Sequence, residues 1–365
     1  MAKARKKIKL VVSDFHLGLG DVLDLGRLNP LEEFHLDEKF AEFLRHHSTG
    51  KYAEHDVELI LNGDIFNFFQ VDHQGRHLAT DTTEKIILEK IRRITAGHAV
   101  FFDALKAFAA RPHRAVSYVV GNHDQGMLWP KSRALLNERL NAEVLFKSAV
   151  YDFDGVHVEH GHLHEAANRF DPRKFYLERK HAEPILKLPL GSLFFVEFVL
   201  KIKEHYPHVD KIRPFSRMMR WALVNETWFT LKGLFSLFRY FFSAALTDEP
   251  HRSFSAKAVL KVMVECAVFP DLSGAARRIL RNDRVHTVVF GHTHIYEHRR
   301  WGGDKEYFNT GTWTDMTSLE INSLGRTTKL TYVLFEYPEA DGGRPRGLLK
   351  EWHGRHRIEE DVVLS

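Results

Sequence analysis

The sequence predicts an α/β fold with a metal site at its strand ends and a helical insert in its second half. Three observations carry that prediction. Five short apolar runs, rich in β-branched residues, each stop at Asp, Asn or His. The first three alternate with helical stretches, the pattern of strand–helix–strand units. More than a hundred residues separate the fourth run from the fifth, far more than a structureless loop in a compact domain.

The first run, IKLVVSDFH, ends at Asp14 and His16. LDEKFAEFLRHH, residues 36–47, follows with helical periodicity. VELILNGD ends at Asp64. Residues 83–110 read as a helix interrupted at Gly97, since glycine is costly inside a helix. AVSYVVGNHD ends at Asn122, His123 and Asp124, GVHVEHGH at His160, and VHTVVFGHTH at His292 and His294. Short runs bounded by glycine are buried-strand signals. EYFNTGTWTD and TKLTYVLFEYP read as further strands. Ligands of open α/β sheets bind beyond the carboxyl ends of the strands, and nothing comparable to these polar residues sits at the strand starts.

Any one of these residues could be a turn former or a satisfied polar group; together they point to a ligand cluster. Carboxylates, an amide oxygen and neutral imidazoles, with no thiolate, suit Mn²⁺, Fe or Zn²⁺. Asp14, His16, Asp64, Asn122, His160, His292 and His294 are too many ligands for one ion. They suit two ions sharing a carboxylate. Paired ions clamp the attacking and leaving oxygens of a displacement at phosphorus and acidify bound water. The Asn-His-Asp run offers an amide oxygen, an imidazole and a carboxylate able to fix the imidazole's tautomer.

DFH, GD, GNHD, HGH and GHTH, in this order, resemble the calcineurin-like metallophosphoesterases, with the match covering residues 8–165 and 284–335. The resemblance implies a two-sheet sandwich flanked by helices, with a helical cap inserted in this chain. It implies that Asp14, His16 and His294 hold the first metal, that Asp64 bridges, and that Asn122, His160 and His292 complete the second. Mn²⁺ is the first expectation, with Fe or Zn²⁺ as alternatives. His123 would sit over the leaving group and donate a proton or hydrogen bond, with Asp124 orienting its ring; a metal-bridged hydroxide would attack phosphorus. Asn67, in GDIFN, either contacts substrate phosphate or caps the following turn. Among the other histidines of GVHVEHGHLHE, His157 reads as structural, His162 begins the turn beyond the metal where it could face substrate, and His164 has no assigned role. His46, His47, His98 and His286 read as surface or helix positions.

The expected domains are a discontinuous catalytic domain, residues 1–170 and 250–365, and an inserted α-helical cap, residues 171–249. EPILKLPLGSLFFVEFVLKIKEHYPH and RMMRWALVNETWFTLKGLFSLFRYFFSAALTDE both read as helices, punctuated by Pro184, Pro189, Pro207 and Pro214. On the second, Asn225, Lys232, Ser236, Arg239 and Ser243 form a narrow polar stripe on an otherwise apolar helix. Its apolar surface could pack inside the cap, hold acyl chains or meet a membrane, or form a dimer interface. Residues 173–246 carry 13 Lys and Arg against 6 Asp and Glu, and a basic, aromatic-rich segment suits an anionic headgroup surface. Arg213, Arg217 and Arg220 could also grip a diphosphate. The chain further resembles the UDP-2,3-diacylglucosamine hydrolases, a branch of the family with a helical cap at this place. They cleave a diphosphate, releasing UMP and a lipid phosphate, and hold acyl chains in the cap. That branch commonly has Arg where this chain has His123.

Bulk properties bound the rest. At 365 residues the chain fits one large domain with an insertion, or two domains. A net charge of +4 is too weak to imply nucleic acid, and none is expected as partner. Cys266 is the single cysteine, so no intrachain disulfide forms and a reducing compartment is expected; it reads as a small buried hydrophobe. The apolar stretch after the basic Lys3–Lys9 cluster is too short for a secretory signal, and no run suits a membrane-spanning helix. The protein is expected in the cytoplasm, with peripheral contact at the inner face of the membrane through the cap. The expected partner is a phosphorylated small molecule or lipid. The functional alternatives are a nucleotide or nucleic-acid phosphodiesterase and a catalytically inactive binding module.

Overall fold

The computed structural model describes residues 5–23, 26–78, 81–178, 182–203, 205–213, 215–228, 231–233, 235, 239, 242, 271–319, 324–338 and 343–354. The expected α/β sandwich is observed. Strands β1 (Lys7–Val12), β2 (Asp56–Asn62), β3 (Arg114–Val119) and β4 (Leu145–Lys147) lie side by side and parallel. Helix α1 (Asp37–His46) separates β1 from β2; α2 (Glu84–Gly97) and α3 (Ala99–Ala109) separate β2 from β3; α4 (Pro130–Leu140) precedes β4. Gly97 divides α2 from α3 as expected, because a Cβ there would overlap the carbonyl of Leu19. Two late strands, β15 (Thr331–Glu336) and β16 (Arg346–Glu351), extend this sheet antiparallel beyond β1.

The second sheet is built from β5 (Val150–Phe153), β6 (Val156–Glu159), β10 (Thr287–Phe290), β11 (Glu297–Trp301) and β12 (Lys305–Asn309), in the order β11-β12-β10-β6-β5. Side-chain alternation along each strand creates the layers. Val11, Ile60, Val119 and Val333 of the first sheet meet Val156, Val158, Val289 and Phe308 of the second. Leu10, Val12, Leu59 and Leu61 point the other way, onto Phe40, Ile87, Phe101 and Phe102 of α1–α3. On the far side, Val288, Phe290 and Tyr307 pack against Ala275 and Ala276 of a later helix, Ser273–Ile279. The order is therefore helix, sheet, sheet, helix. β1, β2, β3, β6 and β10 all deliver their carboxyl ends toward one cluster of polar residues.

The insert differs from the helices read in the sequence. Its first part is a short hairpin of β7 (Tyr176–Leu177) and β8 (Ile185–Leu186). Leu186 N–H donates to the Thr82 carbonyl at 2.8 Å. Helix begins only at α5 (Leu190–Phe194), for which Pro189 is the N-cap. Proline lacks an N–H and pushes the residue before it into extended backbone, so Pro184 and Pro189 hold the preceding residues out of a helix. A π-turn, Phe195–Val199, leads into α6 (Leu200–Lys203). Lys203 is buried in an ion pair with Glu33 of the β1–α1 connection, which ties the insert to the body. β9 (Ile212–Arg213) then pairs in parallel with β13 (Met316–Ser318), which pairs in turn with β14 (Gly325–Thr327), and α7 (Phe215–Asn225) follows β9. Much of the second half of the helix read over residues 217–249, including Ser236 and Ser243, lies outside the described residues, as do Cys266 and the boundary at residue 250. Among the described residues no helix is long and apolar enough to cross a membrane.

Two histidines read as surface or helix positions are buried. His47 is 1 % exposed, its Nδ1 2.9 Å from the Phe43 carbonyl. His98, at the α2–α3 junction, stands between Asp37 (3.1 Å) and Glu32 (3.4 Å). Burial opposes its charge, but the two carboxylates outweigh that and push it up to about 9. Glu32 is in turn held low against the opposing effect of burial by His98 and by backbone N–H groups of Phe34 and Gly20. The sign follows: His98 contributes full stability below its unfolded pKa of ~6.5, lost as pH rises toward 9. Its contribution at pH 6 is about 3 kcal/mol. The Tm difference between the native protein and His98→Asn is therefore expected to be largest near pH 6 and to shrink above pH 9. A difference independent of pH would mean that the ring acts by packing alone.

Candidate metal centre

Ten described non-glycine residues have positive φ, and five are Asp14 (57°), His16 (52°), Asp64 (52°), His292 (70°) and His294 (62°). Left-handed backbone is unfavourable for such residues and persists only where surrounding structure enforces it. Here the loops enforce it on one another. Asp14 N–H donates to the Gly63 carbonyl (3.1 Å) and His16 N–H to the Asp64 carbonyl (2.9 Å). His292 N–H donates to the Asp14 carboxylate at 3.1 and 3.2 Å. Thr312 Oγ1 donates to the Asp14 carbonyl at 2.7 Å. Glycine precedes three of the five ligand blocks, at Gly63, Gly121 and Gly291, for a related reason. A Cβ on Gly121 would overlap the Asp64 carboxylate, and one on Gly291 would collide with Ser13 and Asp14.

Six of the seven predicted ligands fall into two groups whose donor atoms converge: Asp14, His16 and His294, and Asp64, His160 and His292. Asp64 also converges with His16 and His123, which puts its carboxylate between the two groups. His16 Nε2 and His294 Nε2 are 2.9 Å apart. His294 Nε2 is 3.3 Å from Asp14 Oδ1, and His160 Nε2 is 3.1 Å from Asp64 Oδ2. His160 Nδ1 lies 2.8 Å from the Asn62 carbonyl, so a ring donating there presents Nε2 inward. Asn122, the seventh, is 2 % exposed with its Oδ1 lacking any hydrogen-bond partner. An orphaned acceptor at such depth is costly. An oxygen- and imidazole-rich donor set of this kind fits a pair of divalent ions.

Charge agrees. Burial would raise Asp14 and Asp64, yet His160 above all, together with neighbouring imidazoles, holds both below the usual carboxylate range. Burial would lower His160, but Asp64 and Asp14 push it up to about 10. His16 is raised against the same effect of burial. In the ion-free protein, protons thus balance charge that cations would otherwise balance. Metal uptake at neutral pH must expel at least the His160 proton. Titration with Mn²⁺ is expected to release protons, measurable as a dependence of binding heat on buffer ionisation enthalpy. Affinity should rise about tenfold per pH unit for each proton released as pH goes from 7 to 9. Uptake without proton release would show that His160 is already neutral.

The triplet Asn122-His123-Asp124 divides its labour differently from the sequence reading. Asp124 does not orient His123. Its Oδ1 accepts from Gly121 N–H (2.6 Å), and its Oδ2 from Ile65 N–H (2.9 Å) and Tyr118 OH (2.5 Å). A carboxylate engaged on both oxygens in this way staples the β2 and β3 loops and is turned to them rather than to the ring. Asn67 takes that place, its Oδ1 3.1 Å from His123 Nδ1. The ring lies between Phe69 (4.9 Å) and Phe195 of the insert (5.3 Å), and 4.6 Å from His16. Burial pushes His123 down to about 3, so it is neutral in the ion-free protein.

His162 is fully buried, stacked on Phe170 at 4.8 Å and 5.5 Å from His160, with neither ring nitrogen hydrogen-bonded. His157 pairs with Asp152 at 2.7 Å, and His164 with Glu159. Arg217 is exposed and donates to the Leu319 carbonyl at 2.6 Å, and Arg220 is exposed. The side chain of Arg213 lies outside the described residues. The sequence reading missed Glu165, whose Oε2 is 2.7 Å from His292 Nε2. The only signal was its place at the end of the histidine-rich stretch.

No protein-family model and no curated protein matches the chain. Solved structures that it is similar to include a dimetal phosphatase from Danio rerio, 14 % identical with a TM-score of 0.34, covering 96 % of this chain and 100 % of that one. A single mutant of Vps29 from Entamoeba histolytica is 12 % identical with a TM-score of 0.27, covering 94 % and 98 %. A conserved uncharacterised protein from Streptococcus pneumoniae TIGR4, described as a predicted phosphoesterase, is 11 % identical with a TM-score of 0.26, covering 95 % and 99 %. At TM-scores this low the likeness carries no functional weight, and the reading of the centre rests on its own geometry.

Proposed function

We propose that this chain is a two-metal phosphoesterase of the calcineurin-like kind, hydrolysing a phosphate ester or diphosphate. The observation that carries this reading is the convergence of ligands from four strand ends onto two donor groups, with Asp64 between them, and the unpartnered Asn122 Oδ1 at a fifth. Two divalent ions held there by Asp14, His16 and His294, and by Asp64, Asn122, His160 and His292, would supply Lewis acidity toward the phosphoryl group and acidify water. The chain's own residues do the rest. Gly63, Gly121 and Gly291 let the loops close on the ligands. Asn67 fixes the His123 ring beside the metal groups, where it can hydrogen-bond a leaving oxygen. Phe69 and Phe195 flank that ring and restrict its movement.

The finer part of the proposal concerns substrate. Residues 171–249 act as a cap over this centre and favour an amphiphilic, lipid-linked phosphate or diphosphate, at an anionic membrane surface. The support is the exposure of Trp221 (59 %), Val224 (78 %), Trp228 (80 %) and Phe235 (66 %) in the same segment as exposed Arg217 and Arg220. The test is turnover of Mn²⁺-loaded protein on bis-p-nitrophenyl phosphate, then on an acylated nucleotide diphosphate in mixed micelles against its deacylated counterpart. Hydrolysis in the first assay and at least about tenfold higher kcat/KM for the acylated compound are expected, a preference that burial of a few methylenes supplies. Ion binding with no turnover on any of them would leave a binding module. Preference for oligonucleotides with steep salt dependence would make it a nucleic-acid phosphodiesterase.

A further inference from the structure

His292 reaches the centre from the loop after β10, and its Nε2 is occupied: Glu165 Oε2 lies 2.7 Å away. Glu165 is 7 % exposed, and its Oε1 has no hydrogen-bond partner. Asn168 Nδ2 donates to the same Oε2 at 2.9 Å. Asn168 is pressed by the insert: a Cβ on Gly191 of α5 would stand 2.7 Å from Asn168 Oδ1, and Gly191 N–H donates to the Ala167 carbonyl at 2.7 Å. A buried carboxylate with so few partners is costly unless it faces a strongly polarised donor. An imidazole that ligates a cation through one nitrogen is such a donor at the other, and metal-bound histidines regularly place a carboxylate or carbonyl there. His160 follows the same pattern with the Asn62 carbonyl.

We propose that Glu165 is a positioning residue for His292: it accepts the Nε2 proton, fixes the tautomer that offers Nδ1 to an ion, and links the seating of the insert to that ion. This rests on the two-ion reading above. The experiment measures Co²⁺ and Mn²⁺ stoichiometry and affinity of the full chain by chelator competition, with the Co²⁺ absorption spectrum, for native protein, Glu165→Ala, Glu165→Gln, His292→Ala and the double variant Glu165→Ala/His292→Ala. Native protein should bind two ions. Glu165→Ala should weaken one of them about 10–100-fold and leave the other unchanged. Glu165→Gln, which keeps an acceptor but not the charge, should fall between and shift the Co²⁺ spectrum. In the His292→Ala background, removing Glu165 should cost nothing further. Native affinity and spectrum in Glu165→Gln would overturn the proposal, and this variant decides if Glu165→Ala does not fold. An undiminished loss in the His292→Ala background would also overturn it. If native protein binds no ion, the two-ion reading fails with it; if native protein binds two and the Glu165 variants match it, only this inference fails.

Discussion

Asp64→Ala is expected to abolish phosphoesterase turnover and ion binding together. Its carboxylate converges with His16 on one side and with His160 and His292 on the other, so its loss removes the link between the two groups. The side chain also accepts from His123 N–H at 2.8 Å, which holds the β3 loop. Paired ions contribute several kcal/mol to a transition state at phosphorus, so a fall of at least about a thousandfold is expected. Removing Asp64 also unloads the centre electrostatically, because it is the chief attraction raising His160. Without ions, the variant should therefore show a neutral-side shift in the His160 titration, visible by NMR. Asp64→Asn should resemble Asp64→Ala in turnover while retaining more of the His123 N–H contact. Two tightly bound ions in Asp64→Ala, or turnover near native, would remove it from the bridging position.

The strand ends were legible because burial and chemistry alternate abruptly there: five β-branched runs give way to polar residues that a turn does not need. The layer order follows from the same runs, with Leu10 and Val12 on one face and Val11 on the other. What stayed hidden depends on contacts across the chain. Asp124 looked like the partner of the adjacent His123, yet the loops turn its oxygens to Ile65, Tyr118 and Gly121. Asn67 was seen but not its partner, since nothing local in GDIFN places it against a ring dozens of residues away. His98 lacked a motif because its two carboxylates come from the β1–α1 connection and α1. Glu165 was overlooked for the same reason, facing an imidazole from the far side of the insert. In the insert, helical periodicity outweighed Pro184 and Pro189, although proline chemistry delays the helix to Leu190.

His123→Ala is expected to slow turnover about 10²–10⁴-fold while two ions remain bound, the range lost with a positioned proton-transfer or hydrogen-bonding group. Its side chain has no polar partner other than Asn67 among the hydrogen bonds described, and it rests between two phenylalanines. The ion-holding residues should therefore tolerate its removal. Because burial holds the ring down to about 3 in the ion-free protein, it enters the site neutral. A role as proton donor requires the incoming phosphate to raise it, whereas a role as hydrogen-bond partner does not. The two are separable by leaving group. Loss of a proton donor penalises esters of poorly acidic alcohols far more than p-nitrophenyl esters, whose leaving group needs no proton. A uniform loss across both would assign His123 to positioning the phosphoryl group. Asn67→Ala should reproduce a smaller fraction of the same defect with the same leaving-group dependence, because it acts only through the ring. If His123→Ala instead lost both ions, the ring would belong to the ligand set, as its convergence with His16 and Asp64 permits.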